Sequence, residues 1–143
     1  RLWDLLYSEG KNDYLPDLLS DVDLKSFYLK MEGNRLFKKA VGHMANIAEQ
    51  AMAANGLTRD DIQMVIPHQA NLRIIQAVAE KLGITMDRFY TNLDRYGNTS
   101  AASIPLAMDE AHRQGFLQKD TNILLVSFGA GLTWGSSIIR WTL

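Results

Sequence analysis

The sequence predicts an α/β domain in which helices pack against a mixed sheet. Short apolar runs alternate with longer segments whose apolar residues recur every three or four positions, and the chain closes on two extended runs joined by glycines. Runs of the first kind read as strands and segments of the second as helices. Strands separated by a helix become parallel neighbours through a crossover, whereas strands joined by a tight turn pair antiparallel, so both pairings are expected in one sheet. With 143 residues, 47% hydrophobic and 22% charged, the chain has the size and balance of one domain able to bury a core.

In order along the chain, Leu2 to Tyr7 reads as a strand. Residues 8–23, with Gly10, Asn12, Pro16 and several acidic side chains, read as a long surface loop. From Gly33 to Asn55 the residues Leu36, Phe37, Ala40, Met44, Ile47, Ala48, Ala51 and Met52 fall on one helical face. Asn55-Gly56 supplies the stop. Thr58 to Asp61 is a capped turn, and Ile62 to Ile66 a buried strand halted by Pro67, which leaves His68 at a strand end.

Leu72, Ile75, Ala79 and Leu82 form the next helical stripe, closed by Gly83, with Arg73, Gln76 and Glu80 on its polar side. Thr85 is placed as a cap, Phe89-Tyr90-Thr91 as a short extended piece, and Asp94 to Asn98 as a polar loop around Gly97. Thr99 to Gln114 reads as a helix that opens on the small residues Ser100, Ala101, Ala102 and Ser103, which let another backbone come close. Pro105 is tolerated there only in the first turn, and Gly115 ends the helix. Asn122 to Phe128 is a strand, Gly129-Ala130-Gly131 a tight turn, and Leu132 to Trp141 its antiparallel partner.

Charge and composition exclude whole classes of function. Fifteen basic side chains against sixteen acidic ones leave a net charge of -1, so no global field recruits nucleic acid or an anionic membrane. Apolar stretches such as Ile123 to Phe128 fall far short of the ~20 residues that span a bilayer, and no signal peptide is visible, so a soluble, cytoplasmic location is expected. The chain has no cysteine, hence no disulfide and no thiol nucleophile. It starts at Arg1-Leu2-Trp3-Asp4 without an initiator methionine, as a processed product or a piece of a longer polypeptide would.

Four constellations could carry chemistry. Pro67-His68-Gln69-Ala70-Asn71 lies at a strand end, where α/β folds gather ligand-binding groups. An imidazole there can donate to a developing oxyanion or exchange a proton near neutral pH, or it can simply satisfy a loop carbonyl. In Tyr96-Gly97-Asn98-Thr99-Ser100, Asn98 offers an amide donor beside a glycine free to take an unusual backbone angle, and helix capping is the alternative. The glycines of Phe128-Gly129-Ala130-Gly131 let backbone N–H groups approach an accepting oxygen, although a plain hairpin needs the same residues. Arg73, with Asn71 close in sequence, can grip a phosphate through its planar fork or stand solvated on a helix face. Arg35, Lys38 and Lys39 read as a solvated face. His43 and His112 receive no role, and no histidine spacing suits a metal.

Taken together, the segments Ile66 to Ile75, Leu93 to Ser103 and Phe128 to Gly135, with Met31 to Lys38 opening the first helix, resemble the C-terminal half of β-ketoacyl-acyl carrier protein synthase III. The resemblance covers nearly the whole chain and is weakest over residues 8–30. It implies the C-terminal half of a thiolase-like fold over residues 1–143, with a long variable loop within residues 1–32. Enzymes of this family use a Cys from the first half and a His and an Asn from the second, and His68 and Asn98 match the latter two.

The function so implied is acyl transfer by decarboxylative condensation of an acyl thioester with malonyl-acyl carrier protein, in fatty acid or polyketide biosynthesis. The resemblance places an oxyanion-binding N–H at Ala130, where the family usually has Gly, and the added methyl is expected to restrict the turn. It places Gln69, Ala70, Asn71, Leu72 and Arg73 along the phosphopantetheine of coenzyme A or of an acyl carrier protein. Glu80 falls where some relatives are basic, which points to a differently tuned carrier affinity. No resident cofactor or metal is implied, because the substrates arrive on their own carriers. The implied partners are a Cys-bearing N-terminal half on the same or a separate chain, acyl-CoA, an acyl carrier protein, and a second copy in a homodimer. This chain alone is expected to be inactive. Two other readings fit the same residues: a noncatalytic pantetheine-binding subunit, and a thiolase-fold enzyme that forms esters or amides.

Overall fold

The computed structural model describes residues 6–7 and 30–143. The sequence-predicted loop of residues 8–23, and all of the first predicted strand except Leu6–Tyr7, lie outside these residues. Strand β1 (Leu6–Tyr7) pairs antiparallel with β2 (Lys30–Met31), a short pairing that the sequence patterns do not show. Helix α1 (Gly33–Ala54) then runs for 22 residues. Its buried positions Leu36, Ala40, Met44, Ala48 and Met52 repeat every four residues along one face, the spacing that stacks side chains on successive turns. Gly56 turns left-handed at φ 66°, and the Leu57 N–H returns to the Met52 carbonyl at 2.9 Å. That bond satisfies an acceptor the helix end would leave open.

The capped turn at Thr58 is a short 3₁₀ segment, Arg59–Asp61. The Asp61 carboxylate accepts from the Thr58 N–H at 2.8 Å and from its hydroxyl at 2.7 Å. These bonds favour the ionised form and hold its titration below the usual carboxylate range. Strand β3 (Met64–Pro67) follows and is buried along its whole length. Helix α2 (Leu72–Leu82) begins where the Asn71 side chain accepts from the Arg73 N–H at 2.9 Å, and it ends at left-handed Gly83. A Cβ at Gly83 would meet the Arg59 guanidinium, so glycine answers both a backbone angle and a close approach there.

Residues Asp94 to Asn98 are not one irregular loop. Leu93–Tyr96 forms a single helical turn, α3, which Gly97 terminates. A 3₁₀ turn, Ser100–Ala102, leads into α4 (Ser103–Arg113), with Pro105 in its first turn as anticipated. Strand β4 (Asn122–Gly129) and strand β5 (Thr133–Arg140) form the hairpin, joined by Ala130–Leu132. The sheet order is β3-β4-β5, parallel between β3 and β4 and antiparallel between β4 and β5. Phe89 adds one parallel bridge to Val65, where the sequence suggested a short strand.

Alternation along the strands divides the core in two. Val65, Leu124, Val126 and Phe128 pack with α1 and α2, while Met64, Ile66 and Ile123 pack with Ala107 and Ala111 of α4 and with Leu117 and Tyr90. Each fully buried Ile or Leu contributes roughly 1.5–3 kcal/mol through its removal from water. Among the described residues, no helix is long and apolar enough to cross a membrane.

Candidate active site

His68 owes its position to the end of β3. The ladder continues one residue past Pro67 through the His68 N–H, which donates to the Val126 carbonyl at 2.8 Å, and the chain then turns towards α2. The imidazole is half-buried, and its Nδ1 lies 2.6 Å from Oγ of Ser103 at the start of α4. Burial lowers its titration below the usual histidine range, because taking the ring out of water penalises the charged form. That shift favours the neutral ring.

The neighbouring Gln69 is fully buried. Its amide N–H groups donate to the Pro67 carbonyl at 2.8 Å and the Tyr90 carbonyl at 3.3 Å, and its Oε1 accepts from the Asn92 N–H at 3.1 Å. Asn92 in turn donates to Glu110 at 2.9 Å, and Arg95 pairs with the other oxygen of that carboxylate at 2.8 Å. Bonds from Asn92 and then Arg95 keep the Glu110 carboxyl below its ordinary titration range. The network ties the strand end bearing His68 to the turn before α3 and to α4. The Gln69 side chain is thus spent inside the protein.

Asn98 stands two residues past α3, exposed. Gly97 before it takes φ 66° and ψ -155°, a combination almost confined to glycine. Ser100 after it is left-handed, at φ 53°. The Asn98 Oδ1 accepts the Ser100 N–H at 3.0 Å, which fixes which end of the amide is oxygen and leaves the NH₂ group as the outward donor.

The hairpin brings the third group. At its tip Gly131 and Leu132 carry the left-handed angles, φ 73° and 52°, whereas Ala130 is outside the left-handed region. The methyl of Ala130 therefore does not restrict the turn, contrary to expectation, because an L residue adopts this backbone without strain.

These groups share one groove of about 1150 Å³, lined by His68, Ala70, Asn71, Arg73, Asn98 and Ala130. Its volume is on the order of that of small-molecule sites. Leu72 is 43% exposed and is not part of the lining. Phe37 from α1 and Trp134 from β5 form apolar walls, and Trp134 is backed by the stacked ring of His43, 3.9 Å away between centroids. Among the described residues Arg73 pairs with no carboxylate, so its guanidinium is available to an anion. Among the described residues the groove thus offers an imidazole, a primary amide, a turn backbone and the Arg73 guanidinium.

Sequence patterns gave no sign of Ser103 beyond its small size, nor of Asn92 and Glu110. Each acts on a residue 18 or more positions away, where no periodicity connects them. Among the described residues, no group of three His, Asp or Glu side chains is placed to hold a metal ion.

Comparison with known proteins bears on the fold and the family. The family profile described as 3-oxoacyl-[acyl-carrier-protein (ACP)] synthase III C terminal matches residues 52–141. The chain is 56% identical over 97% of its length to the β-ketoacyl-[acyl-carrier-protein] synthase III of Roseiflexus castenholzii. It spans 42% of that relative, about two fifths of the length of the curated relatives it matches. The crystal structure of the Thermus thermophilus β-ketoacyl-[acyl carrier protein] synthase III superposes with a TM-score of 0.84 at 45% identity, covering 97% of this chain and 42% of that one. The priming β-ketosynthase of the R1128 polyketide biosynthetic pathway superposes with a TM-score of 0.84 at 32% identity, covering 98% of this chain and 41% of that one.

Proposed function

The chain belongs to the 3-oxoacyl-[acyl-carrier-protein] synthase III family, as its C-terminal, thiolase-like part, and from that premise we propose that it supplies the malonyl-activating half of a condensing active site. The reaction is the decarboxylative condensation of an acyl thioester with a malonyl thioester on acyl carrier protein, the priming chemistry of fatty acid biosynthesis. The observation that carries this reading is that an imidazole and an oriented amide line one groove.

The chemistry follows from the residue types. When the bond between the malonyl α-carbon and its carboxylate breaks, CO₂ leaves and the electron pair moves onto the thioester oxygen. Two neutral donors aimed at that oxygen stabilise the enolate without placing a full positive charge beside it. His68 and Asn98 are those donors. The carbanion then attacks an acyl group held as a thioester on a cysteine. The Ala130 N–H binds the tetrahedral oxyanion, and collapse expels the cysteine thiolate.

This chain has no cysteine, so the nucleophile comes from a Cys-bearing N-terminal half. Arg73 meets the phosphate of a phosphopantetheine arm lying along Ala70 and Asn71. All of this uses hydrogen-bond donors and carrier-bound substrates, so the reading needs no resident cofactor or metal. It places the enzyme in the cytoplasm, where such carriers circulate, as a homodimer of the complete protein.

The purified chain, free of any partner half, is expected to form no β-ketoacyl product from malonyl carrier protein and an acyl thioester, whereas the complete enzyme forms it. Product from the isolated chain would remove the requirement for an external cysteine. A noncatalytic pantetheine-binding subunit would have no need of an imidazole and an oriented amide lining the same groove. Ester or amide products with hydroxyl or amine acceptors would instead indicate the other alternative.

A further inference from the structure

We propose that Ser103 is a positioning residue that donates its hydroxyl proton to His68 Nδ1, fixing the imidazole as the Nε2–H tautomer with that N–H turned to the groove. The inference deepens the functional reading above and rests on it for its catalytic consequence, although the tautomer itself does not.

The argument begins with a 2.6 Å contact between Ser103 Oγ and His68 Nδ1, a distance at which one group donates and the other accepts. Two arrangements of a neutral ring are possible. If Nδ1–H donated to the hydroxyl, the hydroxyl's own proton would need another acceptor. Ser103 is only 2% exposed, and among the described residues its hydroxyl makes no other hydrogen bond. A buried donor would then go unsatisfied, which folded proteins avoid. If the hydroxyl donates, the Nδ1 lone pair is filled, the ring proton resides on Nε2, and no buried proton lacks a partner.

Two further features agree. Ser103 is the first residue of α4, an eleven-residue helix whose N-terminal end faces the ring contact. The positive end of the helix dipole disfavours an imidazolium and suits a lone pair at Nδ1. With Nδ1 committed to the protein, Nε2 is the ring nitrogen left for the groove that His68 lines. Nε2–H is the donor that an enolate oxygen requires, so Ser103 sets a role for His68 that the imidazole alone would leave open. The Ser100–Ala102 turn beside Asn98 leads directly into Ser103, so one continuous segment presents Asn98 and fixes the partner of His68.

The test uses the complete enzyme labelled with ¹⁵N-histidine, with the His68 resonances identified by their loss in His68→Ala. The wild type is expected to show a protonated Nε2 and an unprotonated, hydrogen-bonded Nδ1. In Ser103→Ala the tautomer signature becomes mixed, and decarboxylation of a malonyl thioester falls about tenfold in kcat, the scale of one neutral hydrogen bond, with KM changed less than about twofold. Ser103→Thr, which keeps the hydroxyl, restores the signature and most of the rate. A wild-type spectrum with the proton on Nδ1 overturns the proposal, and so does a Ser103→Ala enzyme with unchanged spectrum and rate. A wild type that shows the Nε2–H form but decarboxylates nothing would sink the functional reading, while a mixed signature in Ser103→Ala would still uphold Ser103 as the residue that fixes the tautomer.

Discussion

His68 and Asn98 reach the same groove from different kinds of backbone. His68 follows a strand buried on both faces, with its N–H in the sheet ladder, its ring on Ser103 and the next side chain locked in the interior. Asn98 sits on an exposed loop between Gly97 and Ser100, both at positive φ, and its amide is oriented by a single local bond. The first position is determined by tertiary contacts and the second by local backbone geometry. Changes near His68 should therefore act through protonation and tautomer, and changes near Asn98 through loop conformation.

The largest effect expected is that of His68→Ala in the complete enzyme. Malonyl decarboxylation should fall by about 10² or more, as when an oxyanion donor is removed, while thermal denaturation shows the fold retained. A near-normal rate would take His68 out of its role. On the other arm, Gly97→Ala adds a methyl into open space, so only the backbone angle opposes it, at roughly 1–3 kcal/mol. The loop should shift and the rate fall about tenfold. A Gly97→Ala, Asn98→Ala double variant should lose little more than Asn98→Ala alone, and additive losses would show that Gly97 acts by another route.

A pH profile separates the arms again. Burial lowers the titration of His68 below the usual histidine range, so the neutral form persists as pH falls through the ordinary value; below it, protonation fills the Nδ1 lone pair that Ser103 contacts and puts a full charge on the ring. The unfolded chain binds this proton first, so stability also declines as pH drops from the ordinary histidine range towards the folded one. Decarboxylation that fell off above the ordinary histidine range would contradict a neutral, buried ring. Asn98 contributes no titration of its own. The smallest effect belongs to Ala130→Gly, expected to change the condensation rate less than about twofold, because Ala130 already has a backbone angle open to any residue. A large gain on this substitution would mean that the methyl does obstruct the groove.

Much of the scaffold was legible because its signals are local. The four-residue stripe of α1, the closing Gly83 of α2 and the glycine-joined hairpin are each written within a few residues, and each appears where it was expected. Helix α3 was not, since four residues containing Asp94 and Arg95 carry no period to distinguish a helical turn from a polar loop. Gln69 was placed along the carrier by the resemblance, and its burial was not legible because its partners Tyr90 and Asn92 lie 21 and 23 positions away.

By itself, then, the sequence determined an α/β domain with a mixed sheet and the order of its elements, because residue type and short-range spacing are enough for those; it proposed His68, Asn98, Arg73 and Ala130 as a set only through the resemblance. The tertiary structure decided how these groups are held. It placed Ser103 on His68 across 35 positions, turned Gln69 inward, oriented the Asn98 amide and relieved Ala130 of the left-handed angle. Those outcomes depend on which distant backbones meet around a buried polar group, and a buried donor or acceptor takes its partner from whatever the fold brings within reach.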